Sequence, residues 1–539
     1  MLPAMSDAPA SPAPPPPAQG RHEILHDPVL VRLSVVVILG AVMSILDTTI
    51  VNVAIETLAR DFHTSISTMQ WVTTGYLLAL AIVIPMSGWT VERFGARRMW
   101  MISLGLFTLG SALCGLAWSS ESLIFFRVLQ GFGGGMIMPV GQTILARAAG
   151  PQRMGRVMSI LGVPTLIAPV LGPVLGGLIV DNASWRLIFY VNVPIGILAL
   201  LLSWRFLPAG ERQDAGRFDF LGVALLSPGL AALVYGLSEA GGGSGFGSTT
   251  VVVSMAVGAV LIVAFVLHAL RVDRPLLDMH LFRYRGFSVS NAAIFVFGAA
   301  LYAGMILMPL YYQVVRGDSA LVAGLLLAPQ GIGAMLTMPL GGRLTDRIGA
   351  GTVVPIGMAV FLLGTLAYTQ LGPTTSYWWL ALSLVVRGFG MGWTMMPLMA
   401  AAYAKLTHTL VPRATTTLNI LMRVGGSFGT ALVAVVLQRQ VDARLPRSSG
   451  ILSATSSASA SASLPASVAH QLSDAFGYTF WVVVAITAVG LVATLALPKG
   501  RPAPVEAPQP AGAAEPADAA GNAPGGPGAP VPAPLPLGD

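Results

Sequence analysis

Asp47 stands in ILDTTIVNVAI and is the only carboxylate well inside any long apolar run of the sequence. A charge at membrane depth costs at least about 2.5–3.5 kcal/mol on insertion scales, so ionisable residues there usually mark ion or proton pathways. Burial favours the neutral acid and a neighbouring cation favours the carboxylate, so such a group takes up or releases a proton as its surroundings change. Arg127, in FFRVLQGFGGG, is the candidate cation. With the first run directed outward and the fourth inward, the two residues lie about 9 Å and about 8 Å from the outer ends of their runs, at 1.5 Å per residue. Equal depth leaves contact open. The plainer alternatives are an acid that only pins its helix and an arginine that reaches to the interface along its own stem.

Further polar and adaptable side chains fall inside apolar runs. Gln130, Met136, Gln330, Trp393, Asn419 and Arg423 are the expected lining of a substrate cavity, with Arg423 about 12 Å into its run. Flexible thioethers such as Met136 suit an adaptable pocket, although packing is the commoner use. Gly131, Gly133, Gly134 and Gly135 strip side chains from one turn beyond Arg127 and allow close helix approach. Their GxG spacing is no dinucleotide fingerprint, since no strand precedes it and no acidic ribose partner follows. The sequence offers no nucleophile–base pair, no metal-ligand spacing among its histidines, and one cysteine, Cys114, which excludes an internal disulfide. Neither an enzyme nor a bound cofactor or metal is expected; the energy source would be a proton gradient.

These residues are positioned by a repeat. PMSGWTVERFGARR at 85–98 matches PLGGRLTDRIG at 339–349, pairing Pro85 with Pro339, Gly88 with Gly342, Glu92 with Asp346, Arg93 with Arg347 and Gly95 with Gly349, all at an offset of 254. QGFGGG at 130–135 matches RGFGMG at 387–392 at an offset of 257, which aligns Gln130 with Arg387. Two similar halves of about six helices are a common transporter plan. The loops of the first repeat, with Gly88, Glu92, Arg93, Gly95 and Arg97, and of the second, with Gly342, Asp346, Arg347 and Gly349, are the expected gates. Their glycines permit tight turns. Their carboxylates could face a helix N-terminus in the opposite half, where the dipole favours an anion. A purely topogenic role for the basic residues is the alternative.

The composition requires lipid. Hydrophobic residues make up 54% of the 539 and charged residues 10%, with a mean hydropathy of +0.74. We expect an all-α membrane protein of fourteen spans, near 31–53, 69–90, 99–118, 122–145, 155–180, 187–207, 218–238, 248–270, 287–312, 320–342, 351–370, 376–403, 415–438 and 475–497. The domains follow: a disordered head at 1–30, a six-helix bundle at 31–207, an inserted helix pair and linker at 208–286, a second bundle at 287–497, and a disordered tail at 498–539. With the N-terminus inside, 21 Lys and Arg fall on the cytoplasmic side and six outside, so the net charge of +7 is a loop bias and not a nucleic-acid surface. Both termini are expected in the cytoplasm.

Together these motifs resemble the major facilitator superfamily and, within it, the fourteen-helix drug:proton antiporters of the EmrB/QacA family. GWTVERFGARR is similar to the superfamily's loop motif between spans 2 and 3, with Glu92 in place of the usual aspartate. RVLQGFGGG resembles the span 4 motif, whose arginine the family links to proton transfer. GPVLGG resembles the span 5 antiporter motif through Gly172, Pro173, Gly176 and Gly177. LDTTIVNVAI, WRLIFYVNVPIG and RPLLDMHLFR resemble segments of the fourteen-helix group. The resemblance implies alternating access and proton-coupled export of a lipophilic small molecule across the cytoplasmic membrane, by a chain expected to act as a monomer. A dedicated natural-product or lipid exporter, a facilitator on the same fold, and a non-transporting sensor are the alternatives. The substrates are expected to be neutral or monocationic, with anions left open, in preference to dications.

The topology is tested by labelling. Single cysteines at Ser244 and Ser456 in a Cys114-free background should react with an impermeant thiol reagent in intact cells. Reaction only after permeabilisation would reject the assigned orientation.

Overall fold

The computed structural model describes residues 28–499 apart from most of 150–170 and residues 173–174, 181, 209–214, 405, 408 and 446–464. The proline-rich head, most of the fifth expected span, the core of the Ser/Ala-rich loop and the C-terminal tail therefore lie outside the described residues. The first half contains α1 (Pro28–Asp61), α2 (Ile66–Val83), α3 (Ser87–Phe94), α4 (Ala96–Gly115), α5 (Ser120–Ala149), α6 (Leu187–Tyr190) and α7 (Asn192–Phe206). The inserted pair is α8 (Phe220–Glu239) and α9 (Thr249–Ala269). The second half contains α10 (Arg285–Val314), α11 (Ala320–Leu326), α12 (Ala328–Ile348), α13 (Ala350–Leu366), α14 (Tyr377–Tyr403), α15 (Val411–Arg444) and α16 (Ala466–Thr494). Among the described residues there is no strand. In lipid a helix satisfies its own backbone groups, so long apolar runs fold this way.

Twelve described helical stretches are long and apolar enough to cross a membrane. α14 is not one of them, because Arg387 and several glycines lower its hydropathy, yet it packs along both α12 and α13 where a span is expected. Several boundaries differ from the sequence expectation. Pro85 breaks the second span, inserting a 3₁₀ turn over Ile84–Met86 between α2 and α3. α1 continues to Asp61, whose carboxylate accepts a 2.6 Å hydrogen bond from the indole of Trp185. α16 starts at Ala466, nine residues before the expected 475. Exposed tryptophans mark the interfaces: Trp118 after α4 and Trp378 and Trp379 at the start of α14 on one side, and Trp204 near the end of α7 on the other.

The packing repeats between halves. α5 lies against α4 and α2, as α14 lies against α13 and α12. The inserted helices pair with each other, and α8 also touches α2 and α15, so it bridges one helix from each half. Asp219 anchors the base of the insertion, accepting from Gly222 N at 2.7 Å and Leu276 N at 3.1 Å, with His268 Nε2 2.8 Å away.

Core composition distinguishes the two ends of the molecule. At the end bearing the repeated basic loops, one apolar core joins both halves, from Leu33 and Trp100 to Met338, Met396 and Leu418. At the opposite end the cores are separate. One holds Ile50, Leu58, Val72 and Phe189 of the first half, and the other holds Leu307, Tyr311, Leu437 and Phe476 of the second. The halves are thus closed together at the basic-loop end.

Gly95 and Gly349 join the repeated helices with the same backbone, φ 86 and ψ 146 in one and φ 87 and ψ 149 in the other. That region belongs essentially to glycine. Gly95→Ala should therefore cost about 1–3 kcal/mol and lower the thermal midpoint measured by size-exclusion fluorescence. Gly105→Ala, where an added Cβ meets nothing within 4 Å, is the control and should be neutral or slightly stabilising. Equal midpoints for the two variants would reject the strained-turn account.

Candidate functional site

Five helices converge on Asp47. It lies on α1, 0% exposed, and its two carboxylate oxygens accept three side-chain hydrogen bonds. Arg127 of α5 donates from Nη1 to Oδ2 at 2.6 Å. Gln130, one turn further along α5, donates from Nε2 to Oδ1 at 2.9 Å, and Asn192 at the start of α7 donates to the same oxygen at 2.9 Å. The guanidinium is itself fixed. Its Nε donates to Val72 O of α2 at 3.2 Å, its Nη1 also donates to Gln130 Oε1 at 2.8 Å, and its Cζ lies 4.1 Å from the centre of the Tyr76 ring. Ser111 of α4 completes the network, accepting from Asn192 at 3.1 Å and donating to Phe189 O at 2.9 Å.

This geometry joins two residues that sequence depth placed at one level. α1 runs fourteen residues past Asp47, to Asp61, so the acid lies deeper in its helix than the six residues expected, and the contact with Arg127 is nevertheless direct. Removing one member of a buried pair typically costs about 3–5 kcal/mol, because the other charge is left uncompensated. Cluster members Asn192, Ser111 and Tyr76 were not singled out from the sequence. The available signal for Asn192 was its place in WRLIFYVNVPIG; Ser111 and Tyr76 had none, being small or aromatic residues in apolar runs.

The antiporter-like stretch meets α1 beside this cluster. A Cβ on the buried, helical Gly172 would lie 2.0 Å from Thr49 Oγ1 and 3.2 Å from Ile50 N, so the missing side chain lets the two helices touch two residues past Asp47. Gly176 is buried and Gly177 has open space around it, while Pro173 lies outside the described residues.

Of the residues expected to gate, Gly88 and Glu92 lie where the halves meet. Glu92 at the end of α3 accepts a bidentate pair from Arg413 of α15, Nε to Oε1 at 3.0 Å and Nη2 to Oε2 at 2.9 Å. Arg413 lies in the first turn of α15, so the carboxylate meets both a guanidinium and a helix N-terminus. The two α3 and α15 neighbours Ser87 and Thr416 bond through their hydroxyls at 2.8 Å, and Gly88 lets the backbones close, a Cβ there lying 3.3 Å from Arg413 Cα. Higher up, Asn419 donates to Gln142 of α5 at 2.6 Å. Arg97 donates to Trp204 O at 2.7 Å within the first half, and Arg93 is exposed. In the second repeat Gly342 is buried, Asp346 is partly buried with Oδ2 enclosed, and Arg347 is exposed. Arg413 and Gln142 were missed because a single charged or amide residue near a helix end carries no sign of its partner 321 or 277 positions away.

The expected cavity residues divide. Gln130 is bound into the Asp47 cluster and Met136 into the shared core, so neither faces open space here. Trp393 lies beside Gly341 of α12 and Gly357 of α13, inside the second bundle. Gln330 of α12 accepts from Arg387 Nη1 at 3.0 Å. Arg387 is 1% exposed, donates from Nη2 to Ala300 O at 3.1 Å, and lies 4.5 Å from the Phe361 ring centre. Asn419 and Arg423 lie on α15, where the longer helix puts Arg423 twelve residues, about 18 Å, from its start instead of about 12 Å.

Residues 37–430 match the family model described as Major Facilitator Superfamily. The multidrug resistance protein B homolog of Mycobacterium tuberculosis is 38% identical over 517 residues, covering 92% of this chain and 96% of the relative. The multidrug export protein EmrB of Escherichia coli is 31% identical over 410 residues, covering 76% of this chain and 80% of the relative. Among solved structures, the proton:xylose symporter XylE matches with a TM-score of 0.56 at 15% identity over 87% of this chain and 96% of that one, which speaks for the fold alone. The repeated loops, the paired bundles and these relatives agree: the chain is a multi-pass membrane transporter, not an enzyme, and belongs to the major facilitator superfamily in its EmrB-like drug:proton antiporter family.

Proposed function

We propose that the protein exports lipophilic small molecules across the cytoplasmic membrane in exchange for protons, by alternating access, with both termini inside. The observation that carries this reading is the fully buried Asp47–Arg127 pair, with Gln130 and Asn192 on the second carboxylate oxygen. Protonating Asp47 removes the charge that holds Arg127, while the two amides remain as neutral hydrogen-bond partners. The cost falls on an uncompensated guanidinium at membrane depth. That cost is relieved if the helices shift so that Arg127 meets water or the bound compound's polar groups.

Helix motion reaches the gate through shared elements. α5 holds Arg127 and Gln130 at one level and Gln142 at the inter-half contact with Asn419. The present conformation is closed at the basic-loop end, which the orientation places in the cytoplasm, by Glu92–Arg413, Ser87–Thr416 and Gln142–Asn419. Asp47 is enclosed in this state; in the proposed cycle it takes up its proton when the outer side opens to it, and opening of the inner end then exposes it to the cytoplasm, where the proton leaves. Because substrate and proton each favour one state, binding of one changes the affinity for the other by the same factor.

Asp47→Asn should abolish substrate-induced proton release and gradient-driven accumulation in everted vesicles, while substrate binding to the purified protein persists. Arg127→Lys should also transport poorly, since an ammonium lacks the planar fork that reaches Asp47, Gln130 and Val72 O together. Wild-type accumulation by Asp47→Asn with unchanged pH dependence would move proton coupling elsewhere.

Glu92→Gln should keep the fold and shift the population toward the inward-open state by about 2–5 kcal/mol of lost contact. The measurement is thiol accessibility of a single cysteine at Asn419 from the inner side. Unchanged accessibility together with unchanged transport would leave the loop a topogenic element only.

A further inference from the structure

The face of α15 turned toward the first half is a ladder of polar contacts. Arg413 meets Glu92, Thr416 meets Ser87, and Asn419 meets Gln142. Arg423 is four residues beyond Asn419 and seven beyond Thr416, which on a helix is the same face, one turn higher. Among the described residues this rung has no hydrogen bond or ion pair from the first half, and Arg423 stays partly exposed. It also stands where the core shared by both halves ends. Leu418 and Ile420 below it belong to that core, whereas Val433 and Leu437 above belong to the second half alone. Arg423 therefore lies at the level where the shared core gives way to the separate cores of the two halves.

A second cation lies at a similar level in the same half. On α10, Gly298 abuts Met422 of α15 and Ala300 O accepts from Arg387, so Arg423's neighbour and Arg387 touch α10 two residues apart. Counted at the offset of 257 that pairs Gln130 with Arg387, Asp47 falls on Gly304, and the packing agrees: Asp47 meets Gln130 as Gly304 abuts Arg387. A Cβ on Gly304 would lie 2.2 Å from Arg387 Nη2, so the guanidinium fills the room that a side chain would take where the first half has its carboxylate. Among the described residues no Asp or Glu lies within ion-pair distance of Arg387 or Arg423, and Arg387 Nε is buried without an acceptor. Among the described residues, the first half thus gives Arg127 a carboxylate partner, and the second half gives none to Arg387 or Arg423.

We propose that Arg423 receives the anionic group of the transported compound on the face of α15 turned toward the first half, with Arg387 adding to the positive field, so that the preferred substrate is a lipophilic monoanion such as a carboxylate or sulfonate. This deepens the export reading and rests on it. It takes the anionic option that the sequence reading left open, in place of the neutral or monocationic substrates expected there, because an anion supplies the missing counter-charge to a cation held out of water, whereas a cation adds to the imbalance.

The test uses three matched probes: a naphthyl-substituted hexanoate, its primary amide and the corresponding trimethylammonium compound. Binding to the full-length protein in nanodiscs is measured by calorimetry, and export is measured in everted vesicles. Wild type should bind the hexanoate about tenfold more tightly than the amide, the loss expected for one charge-assisted hydrogen bond. Arg423→Gln should erase that ratio, and Arg423→Lys should restore most of it, which separates lost charge from misfolding. Gly304→Asp, which sets a carboxylate against Arg387, should also lower the ratio while leaving Arg423 in place. A wild-type protein that exports the amide or the trimethylammonium compound without preferring the hexanoate keeps the export reading and overturns the anion anchor, as does an Arg423→Gln protein with the wild-type ratio. Export of none of the three by folded wild type would refute the export reading itself and the anchor with it.

Discussion

The structure depends on one constraint: a charge inside the bilayer must find an opposite charge or a set of dipoles within the protein. Asp47 and Arg127 meet that constraint together, and four helices besides α1 contribute to the solution through Gln130, Val72, Tyr76, Asn192 and Ser111. Neither charge is stable alone at that depth. Whatever neutralises one of them therefore changes the energy of the whole arrangement of α1, α2, α4, α5 and α7. The same property that makes the pair costly makes it suitable for coupling, because a proton is the smallest ligand able to unbalance it.

The closure at the basic-loop end is built differently. Its contacts are a partly buried bidentate ion pair, a hydroxyl pair and an amide pair, each between elements that belong to opposite halves. Contacts of this kind can be exchanged for water without leaving a stranded charge in lipid, as a gate requires. The apolar core beneath them joins both halves, whereas at the far end each half keeps its own. A rigid rocking of one bundle against the other would break the first set of contacts while leaving both separate cores intact.

The two halves share a backbone and diverge in charge. Gly95 and Gly349 adopt the same conformation, and α5 and α14 occupy matching places among their neighbours. Yet the first half places a carboxylate where the second has Gly304, and the second half places a guanidinium where the first has Gln130. The packing that small residues allow is common to both halves, whereas the buried carboxylate stands in one and, among the described residues, buried or partly buried cations without a carboxylate partner stand in the other.

Much of this was legible in the chain itself. Apolar runs determined that the protein lives in lipid and is helical, since a continuous apolar run of about 20 residues spans as a helix, whereas a barrel strand alternates apolar and polar residues. The offsets of 254 and 257 determined the two-half plan, glycine at 95 and 349 marked the turns, and a lone acid in an apolar run marked Asp47. The tertiary structure alone decided which groups meet. Asp47 finds Arg127 at a separation of 80 residues, Asn192 at 145, and Glu92 finds Arg413 at 321. It also decided that Gln130 and Met136 are enclosed here, that Pro85 breaks its helix while Pro339 does not, and that Arg423 stands on the stripe facing the other half. The reason is physical. Hydropathy and turn chemistry act within a few residues and are written in local order, whereas pairing across helices depends on the rotation and crossing of elements far apart in the chain, which only the packed bundle fixes.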